Sequence, residues 1–264
     1  MHCMIVRRTQ VAFSLVELSI VLVILGLLTG GILGGQSLIR AAELRAVSTE
    51  YSRYATAVSA FRDKYFALPG DMSNATKFWG TATCPGTSTQ GSNVLTCDGN
   101  GDGRVWMNGL TNPTLNEVFR FWQHLANAGL IEGNYDGVTG DPGGYFAGGS
   151  PTNMPRSKLS NAIWFAESEN NQGGGSNPLF FAYDLHLAYI FAGYAAGSWP
   201  SGAILKPEEA WNIDTKLDDG RPGYGKVLGR VGASCTDAAN NFDFDADYLL
   251  SEAAKTCHLH FFNP

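Results

Sequence analysis

The chain has 264 residues and a formal net charge of −6; 44% of its residues are hydrophobic and only 16% are charged. This composition excludes a disordered chain, and an acidic balance without a basic stripe argues against sequence-specific nucleic-acid binding by the globular part. Few charges combined with 32 glycines favour a loop-rich, largely β domain outside the cytoplasm.

The first predicted element is a long apolar helix. Arg7 and Arg8 precede it, so residues 1–12 are expected to stay in the cytoplasm. Residues 13–35 match the length of a membrane-spanning helix, about 20 residues. A secretory signal would have a shorter apolar core, whereas a single-pass anchor with an exported domain fits.

Glu17 is the one ionisable residue within 13–35. A carboxylate in hydrocarbon costs on the order of 2.5–3.5 kcal/mol or more. An unpaired acid at this depth should therefore be rare, and its presence needs an explanation.

The basic leader, the small residue Ala12 and the stretch "FSLVELSIVLVILGLL" (13–28) resemble the class III signal of type IV prepilins and pseudopilins. The resemblance implies cleavage between Ala12 and Phe13 by a prepilin peptidase, followed by methylation of the Phe13 amine. Ala12 departs from the usual glycine. In filaments of this family the acid, here Glu17, lies near the amine of a neighbouring subunit, and such pairing offsets its desolvation.

The helix is predicted to continue as an amphipathic stem over 36–67. Its apolar residues recur every three or four positions and form one stripe: Leu44, Val47, Tyr51, Tyr54, Val58, Phe61 and Tyr65. Aromatic residues in the stripe favour packing against a sheet over a coiled coil. The helix should end before "LPGD", because Pro69 disfavours helix at Leu68.

Glycines weaken the first half of this helix: Gly26, Gly30, Gly31, Gly34 and Gly35. Members of the resembled family often carry a proline here, and part of the helix melts in the filament. The two glycine pairs either serve that purpose or allow close helix packing.

Residues 68–264 are predicted to form the head of an α+β pilin fold, in which the long N-terminal helix packs on an antiparallel sheet. A short helix is predicted within 116–133, and strands are predicted at 162–168, 179–193 and 226–233. The stretches "LPGDMSNATKFWG" (68–80) and "IDTKLDDGRPGYG" (213–225) are similar to segments of large-headed pilins.

The cysteines predict disulfides in the exported part. Cys3 precedes the apolar run, whereas Cys84, Cys97, Cys235 and Cys257 follow it. An even number in an oxidising compartment favours disulfides, and four cysteines allow three pairings. The pairing that is local in sequence, Cys84–Cys97 with Cys235–Cys257, is preferred.

The stretch "DGNGDGRVW" (98–106) predicts the first half of a calcium loop, because side-chain oxygens alternate before a glycine turn. The twelfth position is Gly109, where a calcium loop carries a bidentate glutamate. Calcium sites among pseudopilins and some pilins favour the metal, and a plain hairpin turn is the alternative. The candidate ligands are Asp98, Asn100, Asp102, the carbonyl of Arg104, and Glu117.

Two further acidic groups are predicted to be structural. Asp214, Asp218 and Asp219 either bind a cation or build turns, and turns are favoured. The aspartates of "NFDFDADY" (241–248) alternate as on the solvated face of a strand.

No histidine lies in a catalytic or metal-binding motif, so neither an enzyme nor an organic cofactor is expected. The resemblance implies a structural subunit of a type IV pilus, made in the inner membrane and exported into an extracellular filament at the cell surface. Its partners would be copies of itself, other pilins, prepilin peptidase and the inner-membrane assembly platform. The alternatives are a pseudopilin of a type II secretion system and a single-pass anchored periplasmic protein.

Overall fold

The computed structural model describes residues 14–82, 95–106, 117–135, 137, 153–170, 179–194 and 200–262. The helices within these residues are α1 Leu15–Tyr65, α2 Thr76–Trp79, α3 Glu117–Asn127 and α4 Pro207–Leu217. The strands are β1 Ala162–Asn170, β2 Asp184–Gly193, β3 Val227–Gly229 and β4 Leu259–Phe262. The chain forms two compact units, Met1–Glu43 and Leu44–Pro264.

The first unit contains the apolar part of α1. By length and composition α1 is the one described helix that could cross a membrane, and its large side chains from Leu15 to Ile39 are exposed. The helix continues without a break through both predicted glycine pairs. Apart from the adjacent backbone of the helix itself, no described atom lies within 4 Å of where their Cβ atoms would stand, so a second helix can approach this surface closely.

In the second unit, the predicted stripe of α1 faces the core. Val47, Tyr54, Val58 and Phe61 are buried, and the remaining members of the stripe pack against them at the edge. The helix ends at Tyr65, four residues before Pro69, as the sequence predicts.

The four strands form one antiparallel sheet in the order β1-β2-β4-β3. Trp164 of β1 is opposite Phe191 of β2, and Tyr189 of β2 is opposite Phe261 of β4. Aromatic residues of this face contact α1: Tyr51 stacks on Phe261 at 4.9 Å and meets Tyr189 edge-on at 5.8 Å. The sheet therefore packs on the stem through ring contacts, as the aromatic stripe predicts.

A second, smaller apolar cluster covers the other face of the sheet. It contains Leu185 and Ala188 of β2, Leu228 of β3, and Phe181 and Val231 from the neighbouring loops. Both faces are thus buried, which explains why β2 reads as a nearly continuous apolar run in the sequence.

Glu50 is a buried carboxylate on the core side of α1. It accepts hydrogen bonds from the indole nitrogen of Trp164 at 2.8 Å and from the backbone nitrogen of Lys158 at 3.0 Å. These bonds fix the register between the helix and β1, because a buried carboxylate must be paired to be tolerated.

The predicted head elements are recovered, and one prediction about the head was wrong. The helix predicted within 116–133 is α3, and the predicted strands become β1, β2 and β3. The aspartates of 241–248 do not lie on a strand: Asp243 caps a turn by accepting from the nitrogen of Ala239 at 2.9 Å. The prediction was wrong because aspartate side chains also bond to nearby backbone, which favours turns.

One disulfide, Cys235–Cys257, is present as predicted. It spans 22 residues and joins the loop after β3 to the residues just before β4, a closure worth about 3 kcal/mol. Cys97 is also disulfide-bonded. Cys84 lies outside the described residues, so the Cys84–Cys97 pair stays a prediction.

Phe66 holds a backbone conformation that phenylalanine rarely adopts. Its φ is +54°, and its nitrogen donates to the carbonyl of Arg62 at 2.8 Å to close the last turn of α1. This left-handed position after a helix usually carries glycine or asparagine. The ring gains nothing from packing in return, because Phe66 is 93% exposed.

We expect Phe66→Gly to raise the free energy of unfolding by about 1 kcal/mol, because it removes the left-handed strain of a side chain with a Cβ. Urea unfolding of the full chain, followed by tryptophan fluorescence, measures the change. Phe66→Ala is the control, since it removes the ring but keeps the Cβ. Equal stability of the two variants would contradict the strain.

Candidate functional site

Three segments converge next to the end of α1: the turn that begins at Gly70, the loop 98–103, here called the Asp loop, and the start of α3. Gly70 has a φ of +84°, and a Cβ there would stand 2.5 Å from the carbonyl oxygen of Glu117. A Cβ on Gly99 would stand 2.3 Å from the backbone of Asp71. Only glycine permits these backbones to approach so closely.

Asp71 organises the Asp loop. One carboxylate oxygen accepts from the nitrogens of Gly101 at 2.6 Å and Asp102 at 3.0 Å, and the other accepts from Gly103 at 2.9 Å. The side chain is buried. Three backbone donors therefore replace the water that this carboxylate loses.

Glu117 closes the loop from the other side. It is the first residue of α3 and is fully buried. Its carboxylate accepts from the nitrogen of Asn100 at 2.9 Å and from that of Trp106 at 3.0 Å.

Asp71, Asp102 and Glu117 form the acidic group: one oxygen of each carboxylate lies within 4.8 Å of the other two. Burial raises the pKa of Glu117 to about 7, against the hydrogen bonds from Asn100 and Trp106, which lower it. Burial also raises the pKa of Asp71. These carboxylates are short of positive charge, and a cation would favour their ionised forms.

Arg120 supplies part of that charge from the next turn of α3. Its guanidinium is buried and donates to the carbonyl of Asp98 at 3.0 Å. Burial lowers the pKa of Arg120 to about 10, while Glu117 and Asp98 raise it. Arg120 therefore stays protonated at neutral pH, and the charge of Glu117 favours this state.

The structure brings together only part of the predicted calcium ligands. Asp102 and Glu117 meet in the acidic group, whereas Asp98 accepts from the nitrogen of Thr76 at 2.8 Å and caps α2. Asn100 donates from its amide to Asp102 at 2.9 Å. The guanidinium of Arg104 forms a bidentate pair with Asp184 at 2.7 and 2.9 Å, which ties the Asp loop to β2.

Asp71 is the member that the sequence analysis missed. It lies 31 residues before Asp102, and an aspartate after a proline–glycine pair reads as an ordinary turn residue. The alternation of side-chain oxygens within 98–102 instead indicated Asp98 as a ligand. In the structure the side chain of Asp98 caps α2.

Asp214, Asp218 and Asp219 build turns, as favoured from the sequence. Asp214 is buried and accepts from the hydroxyl of Tyr248 at 2.9 Å and the nitrogen of Gly220 at 3.1 Å. Asp218 accepts from the nitrogens of Lys226 and Val227. One oxygen of each aspartate also lies within 4.8 Å of the others. Through these hydrogen bonds the aspartates hold together the turns that connect α4 to β3.

The N-terminal site residues are described only in part. Glu17 lies in the first turn of α1, where its carboxylate accepts from the nitrogen of Ser14 at 2.9 Å. Ala12 and Phe13 lie outside the described residues.

No protein-family model, curated protein or solved structure matches this chain.

The raised pKa of Glu117 leads to a prediction about how the stability of the head depends on pH. Its pKa in the folded head, about 7, lies above its value of 4.5 in an unfolded chain. The stabilisation from this group is therefore complete below pH 4.5 and is lost as the pH rises through 7. We expect Glu117→Gln to gain stability relative to the unmutated chain between pH 5 and 8 in metal-free buffer.

Urea unfolding at each pH measures this difference. Asp214→Asn is the matched control: burial also raises the pKa of Asp214 to about 7, but Asp214 lies outside the acidic group. If the free energies of unfolding of Glu117→Gln and of the unmutated chain changed equally with pH, the raised pKa of Glu117 would be contradicted.

Proposed function

We propose that this chain is a structural subunit of a type IV pilus. In this proposal prepilin peptidase removes residues 1–12, and the mature chain polymerises through its N-terminal helix into an extracellular filament. The filament would serve adhesion, motility or DNA uptake. The observation that supports the proposal is the helix α1. It contains an exposed apolar segment of membrane-spanning length and, further along, the stripe of residues on which the sheet packs.

The exposure of the apolar segment supports assembly. From Leu15 to Ile39 its large apolar side chains contact little in the isolated chain. Such a surface needs either lipid or the helices of other subunits, since water would leave it unstable. A filament subunit uses both in turn, first the membrane and then the filament core.

Glu17 distinguishes this proposal from a plain anchor. Among the described residues its only hydrogen bond is to the backbone of Ser14. A pilin would pair the carboxylate with the Phe13 amine of a neighbouring subunit, whereas an anchor would leave it unpaired in lipid at a cost.

The alternatives share some of these features. A pseudopilin of a type II secretion system would have the same processed helix and assembly mechanism. A single-pass anchored periplasmic protein would keep residues 1–12. The mass of the mature chain therefore separates pilin and pseudopilin from an anchor, and neighbouring genes for a secretin and a retraction ATPase separate pilin from pseudopilin.

We expect Glu17→Ala to insert in the membrane and to be processed, but to fail to join filaments. Loss of a buried charge pair costs about 3–5 kcal/mol at each subunit contact. Shearing the cells and blotting the filament fraction measures assembly, and intact mass of the membrane pool checks for a chain beginning at methylated Phe13.

Glu43→Ala is the control within the same helix. Glu43 forms a partly buried i,i+3 pair with Arg40 at 3.3 Å, and i,i+3 or i,i+4 pairs on a helix contribute less than about 1 kcal/mol. Filament yields of Glu17→Ala equal to those of Glu43→Ala would rule out a steering role for Glu17.

We further propose that the acidic group of the head binds calcium. Oxygen ligands lie 2.3–2.6 Å from Ca²⁺, so ligand oxygens of one ion lie within about 5 Å of one another. The acidic group meets this spacing. Asp71, Asp102 and Glu117 would hold the ion, and its charge would favour the ionised form of Glu117.

We expect calcium at one hundred times its dissociation constant to raise the free energy of unfolding by about 2.7 kcal/mol. Asp102→Asn should remove this increment. Asp98→Asn should weaken the cap of α2 but keep the increment, because Asp98 is turned away from the acidic group. Urea unfolding with calcium or magnesium measures this increment. If Asp98→Asn also loses the increment, the ligands belong to the Asp loop, as the sequence predicts, and not to the acidic group.

A further inference from the structure

A cavity of about 440 Å³ lies between the last turns of α1 and the first half of β2. Its size falls in the range of small-molecule sites. Two of its polar residues, Arg62 and Tyr189, matter for what it can bind. Its apolar lining residues are Ala55, Val58, Leu68, Leu185, Leu187 and Phe262.

Tyr189 lines this cavity, and its hydroxyl is a possible donor there. The residue is 1% exposed, and its ring packs edge-on against Tyr51 at 5.8 Å and Phe121 at 6.2 Å. No described residue forms a hydrogen bond with its hydroxyl. A tyrosine combines an apolar ring with a polar tip that favours a hydrogen-bond partner, and the cavity that Tyr189 lines is where a ligand can supply one.

Arg62 contributes a cation to the same cavity. It lies in the last turn of α1 and also lines a second cavity of about 730 Å³, which adjoins the first. No described carboxylate forms an ion pair with Arg62, in contrast to Arg104, which pairs with Asp184. Asp184 lines the cavity too, but its charge is already matched by Arg104.

Arg62 and Tyr189 line the same cavity. Burial raises the pKa of Tyr189, Tyr51 raises it further, and the charge of Arg62 opposes both by lowering it. The guanidinium and the hydroxyl are therefore two donors that one acceptor group can engage together.

We propose that this cavity binds a small apolar carboxylate. Its carboxylate would accept from Arg62 and from the hydroxyl of Tyr189, since a guanidinium matches the two oxygens of a carboxylate. Its ring or short chain would lie against the apolar walls. The proposal concerns the single subunit and is independent of filament assembly.

The test uses the full chain, in monomeric form, in lipid nanodiscs with 4-(trifluoromethyl)benzoate as the ligand, observed by fluorine NMR. We expect saturable binding beyond that of empty nanodiscs. Arg62→Gln should weaken it about tenfold or more, because a charge-assisted hydrogen bond is lost. Tyr189→Phe should weaken it several-fold, and Arg45→Gln, which changes another exposed arginine of α1, should leave it unchanged.

The neutral amide of the same compound should bind about tenfold more weakly or worse, because it lacks the charge that Arg62 recognises. Thermal melting checks that Tyr189→Phe folds, as only an oxygen without a described partner is removed. The proposal is overturned by binding no greater than to empty nanodiscs, by undiminished binding to Arg62→Gln, or by equal binding of acid and amide.

Discussion

The head depends on one aromatic residue in the second half of α1, Tyr54. Tyr54 meets Trp122 of α3 edge-on at 5.0 Å and Trp164 of β1 at 5.6 Å. Because these rings belong to three different elements, removal of Tyr54 would leave both tryptophans facing a cavity, at a cost of several kcal/mol. Glu50, one turn earlier, pairs with the indole nitrogen of Trp164. Packing and hydrogen bonding thus fix the sheet on the same two turns of the helix.

Buried ionisable groups act on the head in opposite senses. Burial lowers the pKa of His124 and of His258 to about 3, so their stabilisation is complete above pH 6.5 and is lost as the pH falls. Burial raises the pKa of Glu117 and of Asp214 to about 7, so their stabilisation is lost as the pH rises. Between pH 4.5 and 6.5 the histidines make the free energy of unfolding rise with pH, whereas the two carboxylates make it fall. The stability of the head should therefore change little with pH until one of these groups is replaced.

Local patterns predicted the elements, whereas contacts distant in the sequence decided the site. The apolar stripe of α1 and the short helix within 116–133 depend on neighbours a few residues away, and both are recovered. The helix α4 was not predicted, although its start has a local pattern: Pro207 opens it, and Glu209 accepts from the nitrogen of Lys206 at 2.9 Å. No local rule pairs Asp71 with Asp102, or leaves the hydroxyl of Tyr189 without a described partner. These arise only when segments far apart in the chain meet.

Magnitudes bear on what Glu17 requires. An acid in the first turn of a helix gains about 0.3–1 kcal/mol from the helix dipole, and the bond from Ser14 adds to this gain. A carboxylate in hydrocarbon costs on the order of 2.5–3.5 kcal/mol or more. The N-terminal end of α1 therefore offsets only part of the cost of burying the Glu17 carboxylate if this segment lies in a bilayer. In the filament proposed above, the rest would come from the amine of a neighbouring subunit, which has the opposite charge.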